Sequence, residues 1–589
     1  MTSTARVITR SPSGNRSLLP SSITSSDHVA VAIAPGVGLG LARGADRWSV
    51  RSADPLTVLS ELSDSGSPRW VWWGRETTSL IAEARLPIDR CWDITAVHRL
   101  LGGSSRATSG EIWAAVQGLS VDSIPAMGQL GLLDAASEEG DPEDPIRPDG
   151  HLRPDWVVGG YAKSAARLAD WSALALEVLA TQQQLLDALP SPAVSSQRAQ
   201  ATARSESAAA LLCSELAHGG LPIDEAKALE LIEGAAGPRP RSLIHEDEIR
   251  AQRDEAVLAT LEVRSNVNLR NPAEVKSMLR REGLDLPDTR AGRLEHLRAT
   301  VPVIDALLTW RKDERIATTY GYGWFDEHIT AGRLRGSWSS ADGAAGRMSA
   351  SAGLHNLPND MRPMVRADAG YAFVRADLGQ IEPRVLAAVS GDDALIEATT
   401  LSADLYQPIA ERLGVDRAIA KLAVLGAMYG STTGESAGAL AGLRKNYPVA
   451  MAMLDAAADS GKRSEDVFTF GGRRVRMSSD PRDDGDLDKA VSVAAGRGRY
   501  ARNAIIQGAA AEYFKVWAIT VRRRTRALGA EIVLCLHDEL VVHAPTERTT
   551  EVATAVEAAV GEAAHYWSPR PEVRFVADVS VIERWSEAK

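Results

Sequence analysis

The sequence predicts a multidomain chain of mixed α+β and α/β class. The chain has 589 residues, more than one hydrophobic core usually organises. Short runs rich in β-branched and aromatic residues read as strands: 28–34, Trp70-Val-Trp-Trp73, 371–376 and 573–581. Elsewhere apolar residues recur at helical spacing, as over 161–188, where Leu168, Trp171, Leu174 and Val178 share a face.

Residues 1–26 carry no acid and are rich in Ser, Thr, Arg and Pro. They are expected to form a disordered tail, although the composition overlaps that of an organelle transit peptide. A strand-and-helix region follows over 27–200, interrupted by an acidic, Pro-bearing loop at 138–155. The polar stretch Pro190 to Arg204 marks a junction. The net charge of −11 does not advertise a nucleic-acid binder. A local basic cleft is nevertheless what neutralises phosphates, so the overall charge is no veto. Cys91, Cys213 and Cys535 are scattered without zinc spacing, which predicts buried thiols in a reducing compartment. No apolar run reaches membrane-spanning length.

Chemistry concentrates in three stretches. Strand-like 371–376 ends on Asp377, and a helix follows in which Pro383 is tolerated only in the first turn. Residues 531–545 read as a hairpin with a corner at His537-Asp538-Glu539. Neighbouring strand residues point to opposite faces, so Asp538, not Glu539, is expected to ligate a metal directly. One acid from each stretch makes an oxygen site suited to Mg²⁺; taken singly, each could simply end a strand in a polar turn. Between them, Arg417, Lys421, Leu425 and Tyr429 recur every four positions, one stripe on a helix. Two cations, an apolar residue and a tyrosine suit a triphosphate, a base and a sugar. The alternative is a solvated charged turn leading into a buried one.

Together these stretches resemble the motifs of family A DNA polymerases, of the DNA polymerase I large-fragment type. Asp377-Leu-Gly-Gln-Ile-Glu-Pro-Arg384 resembles D-Y-S-Q-I-E-L-R, and Arg417 to Gly430 resembles R-x-x-x-K-x-x-x-[FY]-G-x-x-Y-G. His537-Asp538-Glu539 resembles V-H-D-E. Ala345-Gly-Arg347-Met-Ser349 and Leu354-His-Asn356-Leu-Pro358 are similar to T-G-R-L-S and L-Q-N-I-P. The resemblance is strong over about residues 205–589 and weak before them.

The resemblance implies a ribonuclease-H-like, exonuclease-type domain over 27–200 and a thumb over 201–335. A palm with an antiparallel sheet would take 336–400 and 496–589, and helical fingers 401–495. It implies addition of dNTPs to a primer 3′-hydroxyl on a DNA template, with two Mg²⁺ on Asp377 and Asp538 and Glu539 beside them. Arg417 and Lys421 would take the triphosphate, and Leu425, Tyr429, Gln380 and His537 the rest of the nucleotide. Glu382 would be the gate against a 2′-hydroxyl. Primer–template DNA would meet Arg347, Asn356, Arg311, Arg499, Asn503 and Gln507. The implied setting is a monomer in the bacterial cytoplasm, associated with the nucleoid, with no membrane partner.

Residues 91–100 are similar to the second motif of the family's proofreading domain. The first strand, 28–34, runs into 35–40 without the D-x-E pair that holds the nuclease metals. Asp93 and Asp170 are therefore expected to be structural, and the polymerase to lack proofreading. A bifunctional exonuclease–polymerase and a non-catalytic DNA-binding protein are the alternatives; intact Asp377, Asp538, Arg417 and Lys421 speak against the second. Departures from the family pattern include Leu425 in place of an aromatic residue, Gly379 in place of Ser and Cys535 in place of Gln. No amino-terminal 5′-nuclease is expected.

Overall fold

Alternation along one short strand organises the N-terminal third. In β2 (His28–Ala34), Val29, Val31 and Ile33 enter one buried cluster, and Ala30, Ala32 and Ala34 enter another, as a period of two requires. β2 lies in a six-stranded sheet of order β1-β4-β3-β2-β5-β6. The other strands are β1 (Arg6–Thr9), β3 (Gly38–Arg43), β4 (Asp46–Arg51), β5 (Arg69–Trp72) and β6 (Cys91–Asp93). β2, β3 and β4 are antiparallel, and β1, β5 and β6 join in parallel.

The computed structural model describes residues 6–9, 23–103, 107–124, 141–191, 194–261, 267–430, 437–477, 487–568 and 570–588. β1 falls inside the stretch expected to be a tail; residues 1–5 and 10–22 of that stretch lie outside the described residues, as do 138–140 of the acidic loop and 192–193 of the polar junction. Two compact units emerge: residues 1–219, 338–349 and 374–581, and residues 220–337, 350–373 and 582–589.

The alanine face of β2 receives helix α1 (Ala165–Asp187). Contact is close enough that a Cβ at Gly40 would sit 2.0 Å from the backbone of Leu168. Leu168, Trp171, Leu174 and Val178 are all buried, as their spacing predicts, each contributing about 1.5–3 kcal/mol. Helix α2 (Ser196–Gly219) runs unbroken through the junction expected at 200 and stays in the first unit. Residues 582–589, expected in the palm, belong to the second unit.

A second sheet, four-stranded and of order β8-β9-β7-β10, has most of its residues in the first unit. It comprises β7 (Tyr371–Leu378), β8 (Glu531–Cys535), β9 (Glu539–Pro545) and β10 (Ala577–Ile582). β8 and β9 are the expected hairpin. Three helices carry the candidate residues: α3 (Ile381–Ser390), α4 (Arg417–Tyr429) and the 40-residue α5 (Leu487–Arg526). Pro383 is the third residue of α3, within the first turn, where no N–H is required. Ions pin α5 to α2: the Lys515 ammonium donates to both oxygens of Glu206 at 2.7 and 2.8 Å, and all of these atoms are buried.

In the second unit, helix Pro302–Thr319 centres a cluster containing Leu307, Leu308 and Trp310. Arg270 ties that core together through Asp254 and Glu314. The three cysteines are buried and form no disulfide among the described residues. Among the described residues no helix is long and apolar enough to cross a membrane.

Candidate active site

β7 alternates into the sheet and delivers Asp377, half-buried, at its end. The next N–H, of Leu378, donates to the carbonyl of Asp538 at 2.8 Å. Acids 161 positions apart, 538 less 377, therefore stand on adjoining strand ends. Asp538 keeps solvent contact at the hairpin corner, yet burial, together with Asp377 and Glu539, pushes its carboxyl up to about 6. Burial also raises Asp377; Arg375 opposes that shift, while Glu539 and Asp578 add to it. Two desolvated like charges disfavour joint ionisation unless a cation joins them.

Glu539 opens β9 and is buried. Its Oε1 accepts from Arg375 Nε at 3.0 Å. The Glu539 carboxylate is therefore engaged by a cation within the protein, and Asp538 presents the accessible oxygens.

Gln380 caps α3 in a left-handed conformation, φ 56°. Its side-chain amide donates to Asp404 at 2.6 Å, and its oxygen accepts from the Leu405 N–H at 2.7 Å. Asp404 turns its other oxygen to Arg417 Nε. α4 buries Ala420, Ala423, Val424, Ala427 and Met428. Arg417, Lys421 and Tyr429 are exposed and Leu425 is half-buried, so the expected stripe is the accessible face.

Glu382 is held from both sides. Its Oε1 accepts from Arg347 Nη2 at 2.7 Å and its Oε2 from the Tyr429 hydroxyl at 2.8 Å. Burial first, and then the hydrogen bond to Glu382, pushes that hydroxyl up to about 12, so it stays a donor. Gly346 makes the Arg347 placement possible: its φ is 64°, and a Cβ there would come within 2.2 Å of the Arg473 guanidinium.

Arg347, Asn503, Gln507 and His537 line one cavity of about 250 Å³, together with Asp342 and Tyr500. Asn503 Oδ1 is buried there without a hydrogen-bond partner among the described residues, as expected of a group that bonds a ligand. Arg499 is exposed one turn earlier, with its stem against Gly430. Two expected DNA contacts lie in the second unit. The Asn356 carbonyl accepts from Arg315 at 2.8 Å and from the Tyr320 hydroxyl at 2.7 Å. The Arg311 guanidinium donates to Thr289 Oγ1 at 3.1 Å.

Sequence reasoning passed over Arg375 and Asp404. Arg375 was legible: an arginine in an apolar strand, two positions before Asp377, must share its face. Asp404 sits in a loop with no periodicity, and nothing local marked it.

A divalent magnesium site fits the donor set. Asp377 and Asp538 offer hard oxygens, and with Glu539 and Asp578 close by they outnumber the one arginine, Arg375, that faces Asp377. No cluster of three or more potential His, Cys, Asp or Glu ligands exists among the described residues. Mg²⁺ typically uses one or two carboxylates and draws its remaining oxygens from phosphates and water.

The profile of DNA polymerase family A matches residues 245–587, more than half of the chain. The chain belongs to this family. The thermostable DNA polymerase I of Thermus thermophilus is 31% identical over 335 residues, 51% of this chain and 38% of that protein. The DNA polymerase I of Chloroflexus aurantiacus is 31% identical over 290 residues, 44% of this chain and 30% of its own. The chain thus spans less than half the length of these curated relatives. The POL domain of Pol1 from M. smegmatis, solved in complex with DNA primer-template and dNTP, matches with a TM-score of 0.65. That match has 20% identity and covers 96% of both chains, which shows a shared fold.

Within this family A chain, one departure has a steric cause. A Cβ at Gly379 would approach Val576 Cγ2 to 3.0 Å, so a serine there would crowd the strand end. In the N-terminal sheet, Asp93 is buried with both oxygens occupied. It caps the helix Ile94–Gly102 through the Ala96 N–H at 2.8 Å and accepts from Trp72 Nε1 at 2.9 Å. Asp170 pairs with Arg47 at 2.8 Å. The aromatic ring of Trp171 lies between those of Trp73 and Tyr161, with centroids 4.6 and 4.9 Å away.

Proposed function

We propose that this chain is a DNA-directed DNA polymerase that extends a primer 3′-hydroxyl with dNTPs on a DNA template and does not proofread. The observation that carries this reading is the Asp377–Asp538 pair at adjoining strand ends, in one compact unit with the cationic face of α4. The solved relative's primer-template and dNTP are ligands of the same chemistry.

Asp377 and Asp538 would hold two Mg²⁺, which supply activation of the attacking hydroxyl and neutralisation of the leaving pyrophosphate. Arg417 and Lys421 bind the triphosphate and stabilise its developing charge. Glu382, fixed by Arg347 and Tyr429, lies under the sugar and leaves no space for a 2′-hydroxyl. Arg499, Asn503 and Gln507 face the minor groove, whose acceptors occur on every base pair and so report pairing rather than sequence. Arg311 and Asn356 are the residues of the second unit that would bind DNA.

The N-terminal sheet body is, on this reading, a ribonuclease-H-like domain that has lost its chemistry. β2 carries no acid, Asp93 is spent on a cap and an indole, and stacked rings fill the α1 face. A primer-extension assay with labelled primer tests both halves. The wild type should extend and not shorten the primer. Asp377→Ala and Asp538→Ala should each lose about a thousandfold, as when one strong transition-state stabiliser is removed. Undiminished extension in either variant refutes the polymerase site, and metal-dependent shortening refutes the silent nuclease.

A further inference from the structure

Arg375 spreads its three guanidinium nitrogens over three carboxylates. Nη2 donates to Asp377 Oδ2 at 2.9 Å and Nε to Glu539 Oε1 at 3.0 Å, while Nη1 stands 3.5 Å from Asp578 Oδ2. The side chain is 8% exposed and Glu539 9%, whereas Asp578 is 78% exposed. Arg375 and Asp377 are two apart on β7 and share its face. The ion group is therefore built into the sheet on one side of the acid pair, with no loop needed to hold it.

We propose that Arg375 is a positioning residue that acts as a resident counter-ion to the metal carboxylates: it fixes Asp377, commits one of its oxygens, and keeps the site's affinity for bare divalent cations low. This rests on Asp377 and Asp538 being the metal pair. A guanidinium in contact with a ligating carboxylate repels an incoming dication, and in a partly desolvated site that repulsion is strong. Holding one carboxylate rotamer ready works in the opposite direction but is the smaller effect. The balance favours ions that arrive with a triphosphate, whose own charge offsets the repulsion. The site thus stays sparsely loaded until substrate is present.

The test is Mn²⁺ binding to the full chain without DNA or nucleotide, followed by electron paramagnetic resonance and by calorimetry. Arg375→Gln should tighten Mn²⁺ binding about tenfold. Arg375→Lys, which keeps the charge, should stay near wild type. The metal concentration for half-maximal extension should fall less than the bare-metal Kd does, because the triphosphate supplies part of the missing compensation. Unchanged or weaker Mn²⁺ binding in folded Arg375→Gln overturns the proposal. If that variant does not fold, Arg375→Gln with Glu539→Gln restores the charge balance and is compared with Glu539→Gln alone. Tighter binding in the double variant supports the proposal, and equal binding overturns it. Asp538→Ala serves as the control for the underlying site. Lost Mn²⁺ binding there, with no effect of Arg375→Gln, rejects the counter-ion and keeps the metal pair; retained Mn²⁺ binding there rejects the metal pair itself.

Discussion

Glu382 is gripped by two donors of different chemistry, and each makes a separate prediction. Removing the carboxylate in Glu382→Ala opens space under the sugar. Ribonucleotide incorporation relative to deoxyribonucleotide should rise by about 10- to 200-fold, read by competing single-nucleotide additions. Tyr429→Phe removes one hydrogen bond but leaves Arg347 in place. It should relax the same discrimination only about fivefold, the net worth of one hydrogen bond, about 1 kcal/mol, because Arg347 still holds the carboxylate. At this scale the sequence was informative where acids end strands. Asp377 and Asp538 stood out because a charge closing an apolar run needs a reason. Arg375 obeys the same logic, since a charge inside an apolar strand two positions before Asp377 must share its face.

At the scale of elements, α4 was legible because one face of a helix repeats about every four residues, and burial falls on the other face as expected. What holds its first turn was not legible. Asp416, at the N-cap, makes no side-chain cap bond; the partner of Arg417 is Asp404, thirteen residues earlier by number. Asp404→Asn keeps an acceptor for Gln380 and removes the charge that competes with a triphosphate for Arg417. An exposed pair of this kind is worth at most about 1 kcal/mol. The dNTP KM should therefore fall by up to about fivefold with little change in kcat. A rise in KM under steady-state conditions would show that Asp404 aims Arg417 rather than competing for it. The helix α2 shows the opposite limitation. Its polar, Pro-bearing approach read as a linker, while Glu206, whose partners Lys515 and Arg473 lie some three hundred residues away in number, decides where the helix belongs. Long-range ion pairs leave no local period to read.

For the molecule as a whole, the buried ionic cluster sets a pH response. Glu512 accepts from the Thr469 hydroxyl and from the Gly471 N–H at 2.8 Å, and burial pushes it up to about 7 from an ordinary 4.5. Between those values the folded chain keeps a proton that the unfolded chain has lost. Its contribution to stability is full below about pH 4.5 and is lost as pH rises through about 7. Thermal unfolding followed from pH 5 to 8 should show a smaller decline in Tm for Glu512→Gln than for wild type. Asp93→Ala makes a second global test. Losing the cap and stranding the Trp72 indole should cost about 1–3 kcal/mol of stability, with primer extension per folded molecule unchanged.

α5 measures about 60 Å if straight. Its middle turns carry Asn503 and Gln507 to the cavity, and its later turns bury Lys515 and Arg522 against Glu206, Glu215 and the Ile88 carbonyl. Deleting residues 1–219 would take away the acids paired with both cations and bare the face of α5 that α2 covers. The N-terminal third therefore acts as a splint for α5, and anyone shortening this chain would need to redesign that helix first.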